Sequence, residues 1–418
     1  MPRDLNRRAF LQGSAALTGM GLVSGCAKRA GVPLAAQATA PGAVAALPFY
    51  DMPGPIVPIR ADMDRIFRIT VCLRPFRAAG PRLEVERIAD ATVVHNYGHG
   101  GSGWSLSWGA ADQAVRTAMQ AAPGTRDVAV IGCGAIGLTA ALTAQRMGLN
   151  VTIYAKERPP YVRSSRATGQ WTPDSRIALA NVAAPDFAQR WEQMARFSFG
   201  MYQSYLGSPG SPIEWTDRYF LEDPPAATAG RAAEQAEEHQ FARYRNRIAD
   251  LTPQWKNLPA GVTPFPTKSV RQSSTLTFNV ASYSRQLMQE FQIAGGRVET
   301  REFHSPGELA QLTQKLVIHC TGYGARALFA DESVVPVRGQ IAWLIPQEGV
   351  NYAFFYNGLN VVGRRDGIVI QPDNGRGDED GWNRTDEEPD RAEAEGGVRI
   401  LQELYGRMKP AAARRGNA

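Results

Sequence analysis

Apolar and polar residues alternate along this chain in a pattern that predicts a βαβ unit in its second quarter. Residues 128–131 form an apolar run with the length of one buried strand, and residues 150–154 form a second such run. Between them, residues 138–147 have the composition of a helix with small residues on one face, and Gly148 follows. A helix between two apolar strands is typical of parallel strands joined by a crossover.

The same patterns predict further elements on both sides of this unit. A β-branched segment at 67–73 predicts a strand. We expect Arg74 and Pro75 to end it, because proline restricts the residue before it and cannot donate to a strand ladder. Other predicted helices are 105–119, 185–205, 283–294 and 395–408, and other predicted strands are 83–86, 92–94, 213–221, 274–278, 297–300, 316–322, 337–344 and 359–370.

The order of these elements predicts an α/β fold with a Rossmann-like nucleotide-binding domain and an α+β second domain with a mixed sheet. The 418 residues are enough for two or three domains. The net charge of +6 is mild, and no basic stripe is interleaved with aromatic residues, so nucleic acid is not an expected partner. The four cysteines lack the spacing of a disulfide framework, and no Cys or His cluster predicts a metal site.

A glycine-rich motif lies in the first turn of the βαβ unit. Residues 132–137 read G-C-G-A-I-G, which is the G-x-G-x-x-G fingerprint placed between a strand and a helix. Gly132 makes the tight turn, Gly134 lets a pyrophosphate approach the backbone, and Gly137 lets helix and strand pack closely. The N–H groups at the helix N-terminus would hold the phosphates. The motif therefore predicts dinucleotide binding.

The end of the second strand bears on which dinucleotide is bound. A carboxylate is expected about 20 residues after the fingerprint, where it would contact a ribose hydroxyl. Here the strand ends in Ala155, Lys156 and Glu157, so alanine holds the usual acidic position and the glutamate comes slightly late. A plain NAD site is less favoured, and the ribose contact stays unassigned.

A second glycine cluster lies between a predicted strand and a predicted helix. Residues 95–104 read H-N-Y-G-H-G-G-S-G-W. Such a cluster is a second place where backbone can approach a phosphate or a flat ring, and the alternative is a long loop that needs glycine for its turns. Taken alone, His95 and His99 are more typical of loop or core histidines than of acid–base residues.

The N-terminus predicts export. Residues 6–11, N-R-R-A-F-L, form a twin-arginine pattern ahead of a weakly apolar run, and residues 23–26, V-S-G-C, resemble a lipobox. Cys26 would then be lipidated and anchor a periplasmic protein to a membrane; an ordinary cleavage site is the alternative. Residues 27–60, rich in Ala, Pro and Gly, predict a flexible tether, and residues 411–418 predict a disordered tail.

Together these motifs resemble the D-amino-acid oxidase family of FAD-dependent oxidoreductases. The fingerprint unit resembles the first segment of that family. Residues 167–173, A-T-G-Q-W-T-P, resemble its flavin-contacting turn A-x-G-x-W-x-P. Residues 95–109 are close to its H-N-Y-G-H-G-G-x-G signature. The strand end C-T-G at 320–322, R-G-Q at 338–340 and L-R-P at 73–75 resemble further family motifs.

The resemblance implies FAD as the cofactor and assigns residues to it. They lie in the two glycine clusters, at the end of the second strand, in the A-x-G-x-W-x-P turn and near two later strand ends. The implied FAD-binding residues are Gly100, Gly101, Ser102, Gly103, Trp104, Ser105, Gly132, Gly134, Ala135, Ile136, Gly137, Lys156, Glu157, Arg163, Ser164, Thr168, Gly169, Gln170, Trp171, Phe303 and Thr321.

The order of the motifs departs from the family, in which the fingerprint opens the chain and the H-N-Y-G-H-G-G signature closes it. Here the closing segment comes first, which resembles a circular permutation with residues 120–127 as the new linker. A shuffled fragment that does not restore the fold is the alternative. The predicted FAD-binding domain covers residues 61–185 and 301–340, and the predicted substrate domain covers mainly 186–300, together with 341–410.

The resemblance also implies a reaction. A D-amino acid would be oxidised at its Cα–N bond by hydride transfer to FAD, the imine would hydrolyse to a 2-oxo acid, and oxygen would give hydrogen peroxide. Arg74 would bind the substrate carboxylate through its planar fork, and the carbonyl of Gly101 would accept from the substrate amine. A surface arginine at the end of a strand is the alternative for Arg74.

The substrate side chain is left open. The segment 265–272 has no tyrosine where the family has a tyrosine-bearing lid, and it carries Lys268 and Arg271 instead. These cations would suit an acidic side chain such as that of D-aspartate, or they belong to a solvated loop. Glycine, secondary amines and peptidoglycan-derived amines also stay possible. Two other functions are a flavin dehydrogenase that passes electrons to a carrier and a non-catalytic FAD-binding or ligand-binding lipoprotein.

Overall fold

A computed structural model of the chain describes residues 52–223 and 239–408. The predicted signal, most of the predicted tether and the predicted tail lie outside the described residues. The strands are β1 Ile66–Phe76, β2 Val85–Ile88, β3 Ala91–His95, β4 Asp127–Ile131, β5 Asn150–Ala155, β6 Ile213–Glu222, β7 Lys256–Asn257, β8 Ser269–Phe278, β9 Arg297–Thr300, β10 Leu316–His319, β11 Val335–Leu344, β12 Tyr352–Tyr356, β13 Leu359–Arg364 and β14 Gly367–Pro372. The α-helices are α1 Gly103–Ala121, α2 Ala135–Arg146, α3 Phe187–Gln203, α4 Val280–Ile293, α5 Gly307–Ala310, α6 Ala325–Leu328 and α7 Arg391–Gly406.

The predicted βαβ unit is confirmed and lies inside a six-stranded sheet. Its strand order is β2-β3-β10-β4-β5-β9, and all neighbours are parallel except β2 and β3. Both faces of β4 are covered: Val128 and Val130 pack into the core formed with the helices, while Ala129 and Ile131 pack into a second core on the opposite face. A parallel strand buried on both faces explains why this segment is an unbroken apolar run.

The second sheet has eight strands in the order β1-β11-β14-β13-β12-β6-β8-β7, with antiparallel pairs except β12 and β6. Helix α7 covers one face, where Leu401 and Leu404 pack with Val361 and Ile370. The α/β class with a mixed second sheet is therefore confirmed. Pattern reasoning missed β12 and began β8 five residues late.

The prediction that Arg74 and Pro75 end the first strand is wrong. Strand β1 continues to Phe76, and Pro75 lies opposite Pro336 of β11. Because neither Pro75 nor Pro336 has an N–H, this pair lies at a non-hydrogen-bonded position of the ladder, and the missing N–H of Pro75 costs no bond to β11. Arg74 therefore lies within a paired strand, opposite Val337 and two residues before the strand ends.

The predicted domain limits also need correction. Strand β1, placed in the FAD-binding domain by sequence, belongs to the large sheet, and so does β11 within 335–344. The strand β9 and helices α3 and α4, placed mainly in the substrate domain, pack with the small sheet or its helical core. Both sheets are assembled from distant segments, and a division by sequence range cannot follow such pairing.

Part of the segment 52–60 is packed, although we expected it to belong to a flexible tether. Ile59 is only 3% exposed and joins the core between α7 and the large sheet. The hydroxyl of Tyr352 donates to the carbonyl of Val57 at 2.7 Å. These few apolar residues were hidden in a stretch dominated by Ala, Pro and Gly.

The part of the chain that the structure describes contains neither a membrane-spanning helix nor a metal-binding cluster. Within 52–223 and 239–408, no helix is long and apolar enough to cross a bilayer. Over the same ranges, no group of three or more His, Cys, Asp or Glu side chains is arranged to hold a metal ion.

Candidate active site

The fingerprint turn forms one wall of the site. Strand β4 leads into Gly132, whose φ of +108° is rarely adopted by side-chain-bearing residues, and Gly134 is the N-cap of α2. A Cβ on Gly132 or Gly137 would strike neighbouring backbone, whereas one on Gly134 would meet only the Ser164 hydroxyl, at 3.2 Å. The turn is therefore packed tightly on its protein side and open on the side where a pyrophosphate would lie.

The second glycine turn lies between β3 and α1 and is anchored to two other segments. The N–H of Gly100 donates to the carbonyl of Pro75 at 2.8 Å, and the N–H of Gly101 donates to the carbonyl of Ser175 at 3.0 Å. Gly100 has a φ of +53°, and a Cβ there would overlap the carbonyl of Arg176. These contacts join the turn to strand β1 and to the loop that follows the A-x-G-x-W-x-P turn.

Ser164 links the two glycine turns. Its hydroxyl accepts from the N–H of Ala135 at 3.0 Å, in the first turn of α2. Its carbonyl accepts from the indole Nε1 of Trp104, in the first turn of α1, at 2.8 Å. The two turns, about 35 residues apart in sequence, are thus held on either side of one short segment.

A buried arginine that sequence reasoning missed supports the A-x-G-x-W-x-P turn. The Nη1 of Arg364 donates to the carbonyls of Ala167, at 2.8 Å, and Thr168, at 3.2 Å. Its charge is paired with Asp366 in a two-point contact at 2.5 and 2.9 Å. Burial lowers the pKa of Arg364. No local signal marks this role, because the turn that Arg364 supports is almost 200 positions away.

One cavity of about 1080 Å³ brings these segments together. It runs between the carboxyl ends of the small sheet and one face of the large sheet, and it contains most residues that the resemblance assigned to FAD and substrate. The predicted site residues that line it are Arg74, Gly100, Gly101, Gly103, Trp104, Ser105, Gly132, Gly134, Ala135, Ile136, Lys156, Glu157, Arg163, Ser164, Thr168, Gly169, Gln170, Phe303 and Thr321.

Three predicted cofactor residues lie behind the cavity wall. The hydroxyl of Ser102 donates to the carbonyl of Ser175 at 2.9 Å, and Gly137 packs against the fingerprint backbone. Trp171 is fully buried, with its ring 4.9 Å from that of Phe199. In this structure these residues support the wall, and direct contact with a cofactor stays a prediction.

The two cations suggested for an acidic substrate do not line the cavity. Lys268 is exposed. The guanidinium of Arg271 lies 4.5 Å from the ring centroid of Phe220, and it forms an ion pair with Glu222 at 3.6 Å. Phe220 does line the cavity, so Arg271 lies behind this ring. The structure therefore does not bring Lys268 and Arg271 to the site.

Arg74 lies in the wall between the two sheets. Its Nη1 donates to the carbonyl of Arg338 at 3.0 Å, and its guanidinium lies flat against Gly339, where a Cβ would overlap it. Burial, and then the charge of Arg176, lowers the pKa of Arg74 to about 10. It therefore stays positively charged at neutral pH. A desolvated, oriented guanidinium facing a cavity is suited to bind a carboxylate.

Sequence reasoning missed the residues on the large-sheet side of the cavity, which form one row across four strands. Phe220, Phe355, Asn360 and Gln371 lie opposite one another in register, and all line the cavity. The two phenyl rings stack at 5.2 Å. The amide oxygen of Gln371 accepts from the Thr168 hydroxyl at 2.6 Å. The sequence signal for this row was the presence of two polar residues, Asn360 and Gln371, inside otherwise apolar strands.

Near Arg74 the other cations are already paired. Arg176 contacts the Asp378 carboxylate at 3.1 Å and donates through Nε to its carbonyl at 2.6 Å. Arg243 contacts the same carboxylate at 2.5 Å. Burial alone would raise the pKa of Asp378, but Arg176 and Arg243 together hold it below its usual value. Arg176 and Arg243 thus fix the loop at 377–378.

The residues present fit FAD. The fingerprint turn leaves space above Gly134 for a pyrophosphate, and the second glycine turn presents backbone on which a flat ring can lie. A Rossmann-like sheet and a mixed sheet that share such a cavity define a flavoprotein oxidoreductase with a separate substrate domain.

The family model and the sequence relatives agree with this class. Residues 127–415 match the family model DAO, FAD dependent oxidoreductase. A D-amino-acid oxidase of Streptomyces coelicolor is 27% identical over 310 residues, which are 68% of this chain and 83% of the relative. One of Rubrobacter xylanophilus is 26% identical over 288 residues, 68% of this chain and 78% of the relative. The solved glycine oxidase of Geobacillus kaustophilus gives a TM-score of 0.46 at 13% identity, over 68% of this chain and 79% of that chain.

The family match covers more than half of the 418 residues. The protein therefore belongs to the DAO family of FAD-dependent oxidoreductases, and its cofactor is FAD.

Proposed function

We propose that this protein oxidises the Cα–NH₂ group of a D-amino acid to a 2-oxo acid and ammonia, with hydrogen peroxide as the other product. The observation that carries the proposal is Arg74, a charged guanidinium set in the cavity wall beside the second glycine turn. The two relatives cited above are named as D-amino-acid oxidases, which supports the D configuration.

The chain supplies binding and orientation. When bound, FAD supplies the acceptor for the hydride that leaves the substrate Cα. Arg74 holds the substrate carboxylate, and the carbonyl of Gly101 accepts from the substrate amine. The stacked rings of Phe220 and Phe355 offer an apolar surface for the side chain. Because Arg176 and Arg243 are paired with Asp378, an uncharged side chain fits this cavity better than an acidic one.

The experiment is anaerobic reduction of the bound flavin, followed by its visible absorbance. Neutral, acidic and basic D-amino acids, their L enantiomers, glycine and simple secondary amines form the panel. We expect bleaching with neutral D-amino acids, and peroxide release once air is admitted. Bleaching without peroxide in air would indicate a different electron acceptor, and no bleaching with any amine would remove the proposal.

Replacing Gly339 with alanine is expected to raise the KM for the best substrate about ten-fold while the flavin stays bound. The new methyl group overlaps the guanidinium of Arg74, which must leave the orientation that a two-point carboxylate contact requires. Steady-state kinetics measure the effect. Gly200→Ala, at a helical position where an added Cβ meets nothing within 4 Å, is the control and should leave KM unchanged. An unchanged KM in Gly339→Ala would show that Arg74 does not bind the substrate.

We also propose that the chain is a circular permutation of the family order. In the family the segment carrying β1 would follow α7. Here the side chain of Gln402 in α7 donates to the carbonyl of Ala61 at 2.8 Å, and Arg391 donates to the carbonyl of Met63 at 3.3 Å. The end of α7 and the start of the segment that carries β1 therefore lie close enough for a short linker to join them. The test is a rearranged chain that begins and ends within residues 122–126 and has residue 408 joined to residue 61. It should fold and bind FAD. If it does not fold while the parent chain folds correctly, the proposal is contradicted.

We further propose twin-arginine export and lipidation at Cys26, which lies outside the described residues. The N-R-R-A-F-L pattern and the lipobox-like V-S-G-C support it. In the native host, Cys26→Ser is expected to move the protein from the membrane fraction to the soluble periplasmic fraction, because the acyl anchor is lost. Immunoblots of the fractions measure this. An unchanged membrane share would contradict lipidation, and retention of an Arg7→Lys, Arg8→Lys variant in the cytoplasm is the matching test of the export route.

A further inference from the structure

A chain of hydrogen bonds joins the protein surface to the cavity through two histidines. Strands β3 and β10 are parallel neighbours, and they end side by side at His95 and His319. The Nε2 of His95 lies 2.9 Å from the carboxylate of Glu86, on β2. The two Nδ1 atoms lie 3.0 Å apart, and the Nε2 of His319 lies 2.6 Å from the hydroxyl of Thr321. Glu86 is 38% exposed, whereas Thr321 lines the cavity.

The Glu86 carboxylate decides which atom donates in each of these hydrogen bonds. An ionised carboxylate only accepts, so the Nε2 of His95 must carry its hydrogen. The neutral ring of His95 then has a bare Nδ1, which accepts from the Nδ1–H of His319. The Nε2 of His319 is bare in turn, so it accepts from the hydroxyl of Thr321. One charge at the surface therefore fixes both tautomers and the hydroxyl rotor.

The surroundings keep both rings neutral and in place. Both imidazoles are completely buried, and they pack against the rings of Tyr97 and Phe329. Burial lowers the pKa of His319 well below its ordinary value. Burial also lowers the pKa of His95, although its hydrogen bond to Glu86 acts in the opposite direction.

We propose that Glu86, His95 and His319 are positioning residues that turn the hydrogen of Thr321 away from the cavity. Thr321 then offers the bound cofactor only lone pairs, so it accepts from a donor of the dinucleotide, such as a hydroxyl or the adenine amino group. A phosphate oxygen, which only accepts in its ionised form, is not its partner. The inference rests on the proposed cofactor site and adds a specific contact to it.

The test uses the affinity of the apoprotein for FAD, measured by quenching of flavin fluorescence. In Glu86→Ala, water replaces the carboxylate beside the Nε2 of His95. Because water can donate or accept, the orientation of the Thr321 hydroxyl is no longer fixed. We expect FAD binding to weaken about five-fold, the size of one ordinary hydrogen bond. Glu84→Ala is the matched control, because the Glu84 carboxylate also pairs with Arg82 but makes no hydrogen bond to the His95 ring. The backbone bond from the His95 N–H to the Glu84 carbonyl, at 2.9 Å, is kept in this variant. Glu84→Ala should leave affinity unchanged.

A double-mutant cycle separates positioning from general support of the wall. In a Thr321→Val background, Glu86→Ala should have no further effect on FAD affinity, because the group it orients is gone. Equal losses in both backgrounds, or no loss in wild type, would overturn the inference. His319→Phe, which keeps a packed ring and breaks the chain, should weaken FAD binding as Glu86→Ala does. A wild-type apoprotein that binds no FAD would instead overturn the cofactor site.

The two halves of the cofactor identify the donor. The wild type and Glu86→Ala are titrated with ADP, which carries the adenosine hydroxyls and amino group, and with riboflavin, which carries the ribityl hydroxyls. Weaker binding of one half by Glu86→Ala supports the inference and assigns the donor to that half. Equal binding of each half by both proteins would contradict it.

Discussion

Replacing Arg74 with alanine is expected to lower kcat/KM for the best substrate at least about 30-fold, while the protein keeps its FAD. The guanidinium is desolvated and held against Gly339, and truncating one partner of such a charged contact costs about 2–5 kcal/mol. Within the described residues its side-chain hydrogen bonds go to backbone carbonyls of β11, so the fold should survive. Stopped-flow flavin reduction and steady-state kinetics measure the loss.

Two variants on the same strand serve as controls for this result. Arg68→Ala removes an exposed arginine of β1 that lies over the ring of Trp343 and outside the cavity, and it should leave kcat/KM unchanged. Arg74→Lys keeps the charge and loses the planar fork, so it should recover only part of the activity. If Arg74→Ala turned over substrate at the parent rate, the carboxylate would be bound elsewhere.

Replacing Gly134 with valine is expected to weaken FAD binding about 100-fold or more and to give a colourless protein. The branched side chain would project into the space where the pyrophosphate approaches the backbone. Inside the protein a Cβ at this position meets only the hydroxyl of Ser164, at 3.2 Å, so we expect the fold to be retained. Fluorescence titration with FAD measures affinity, and the unfolding temperature of the apoprotein checks the fold.

The matched control is Gly307→Val, in the first turn of α5. A Cβ there meets nothing within 4 Å, and Gly307 does not line the cavity. It should bind FAD as the parent does. If Gly134→Val remained yellow with parental affinity, the fingerprint turn would not hold the pyrophosphate, and the assignment of the cofactor's phosphate end would be wrong.

The parts of the fold that sequence predicted are those that local chemistry decides. The βαβ unit is recognisable because β4 is buried on both faces and its turn needs glycine at Gly132. The second glycine turn is similar, because Gly100 needs a positive φ. In each case the cause and the effect lie within a few residues, so a pattern along the chain records them.

The parts that sequence did not predict depend on pairing between distant strands. Phe355 and Asn360 face the cavity only because β12, β13 and β14 align in register with β6. Arg74 was expected to end a strand, and its real setting depends on Gly339, far along the chain in β11. Ile56, Val57 and Ile59 pack because α7 and the large sheet offer them an apolar surface. No local pattern carries such information.

The edge position of β1 has a mechanical consequence. This strand is the first long element after the N-terminal segment, and it carries Arg74 near its far end. It is held to β11 from Ile66 opposite Leu344 to Phe76 opposite Val335. A force on the N-terminus directed along the strand would load the hydrogen bonds between β1 and β11 in shear. They would then bear the force together and would not open one by one. Force applied at that end could therefore be borne without Arg74 shifting against β11.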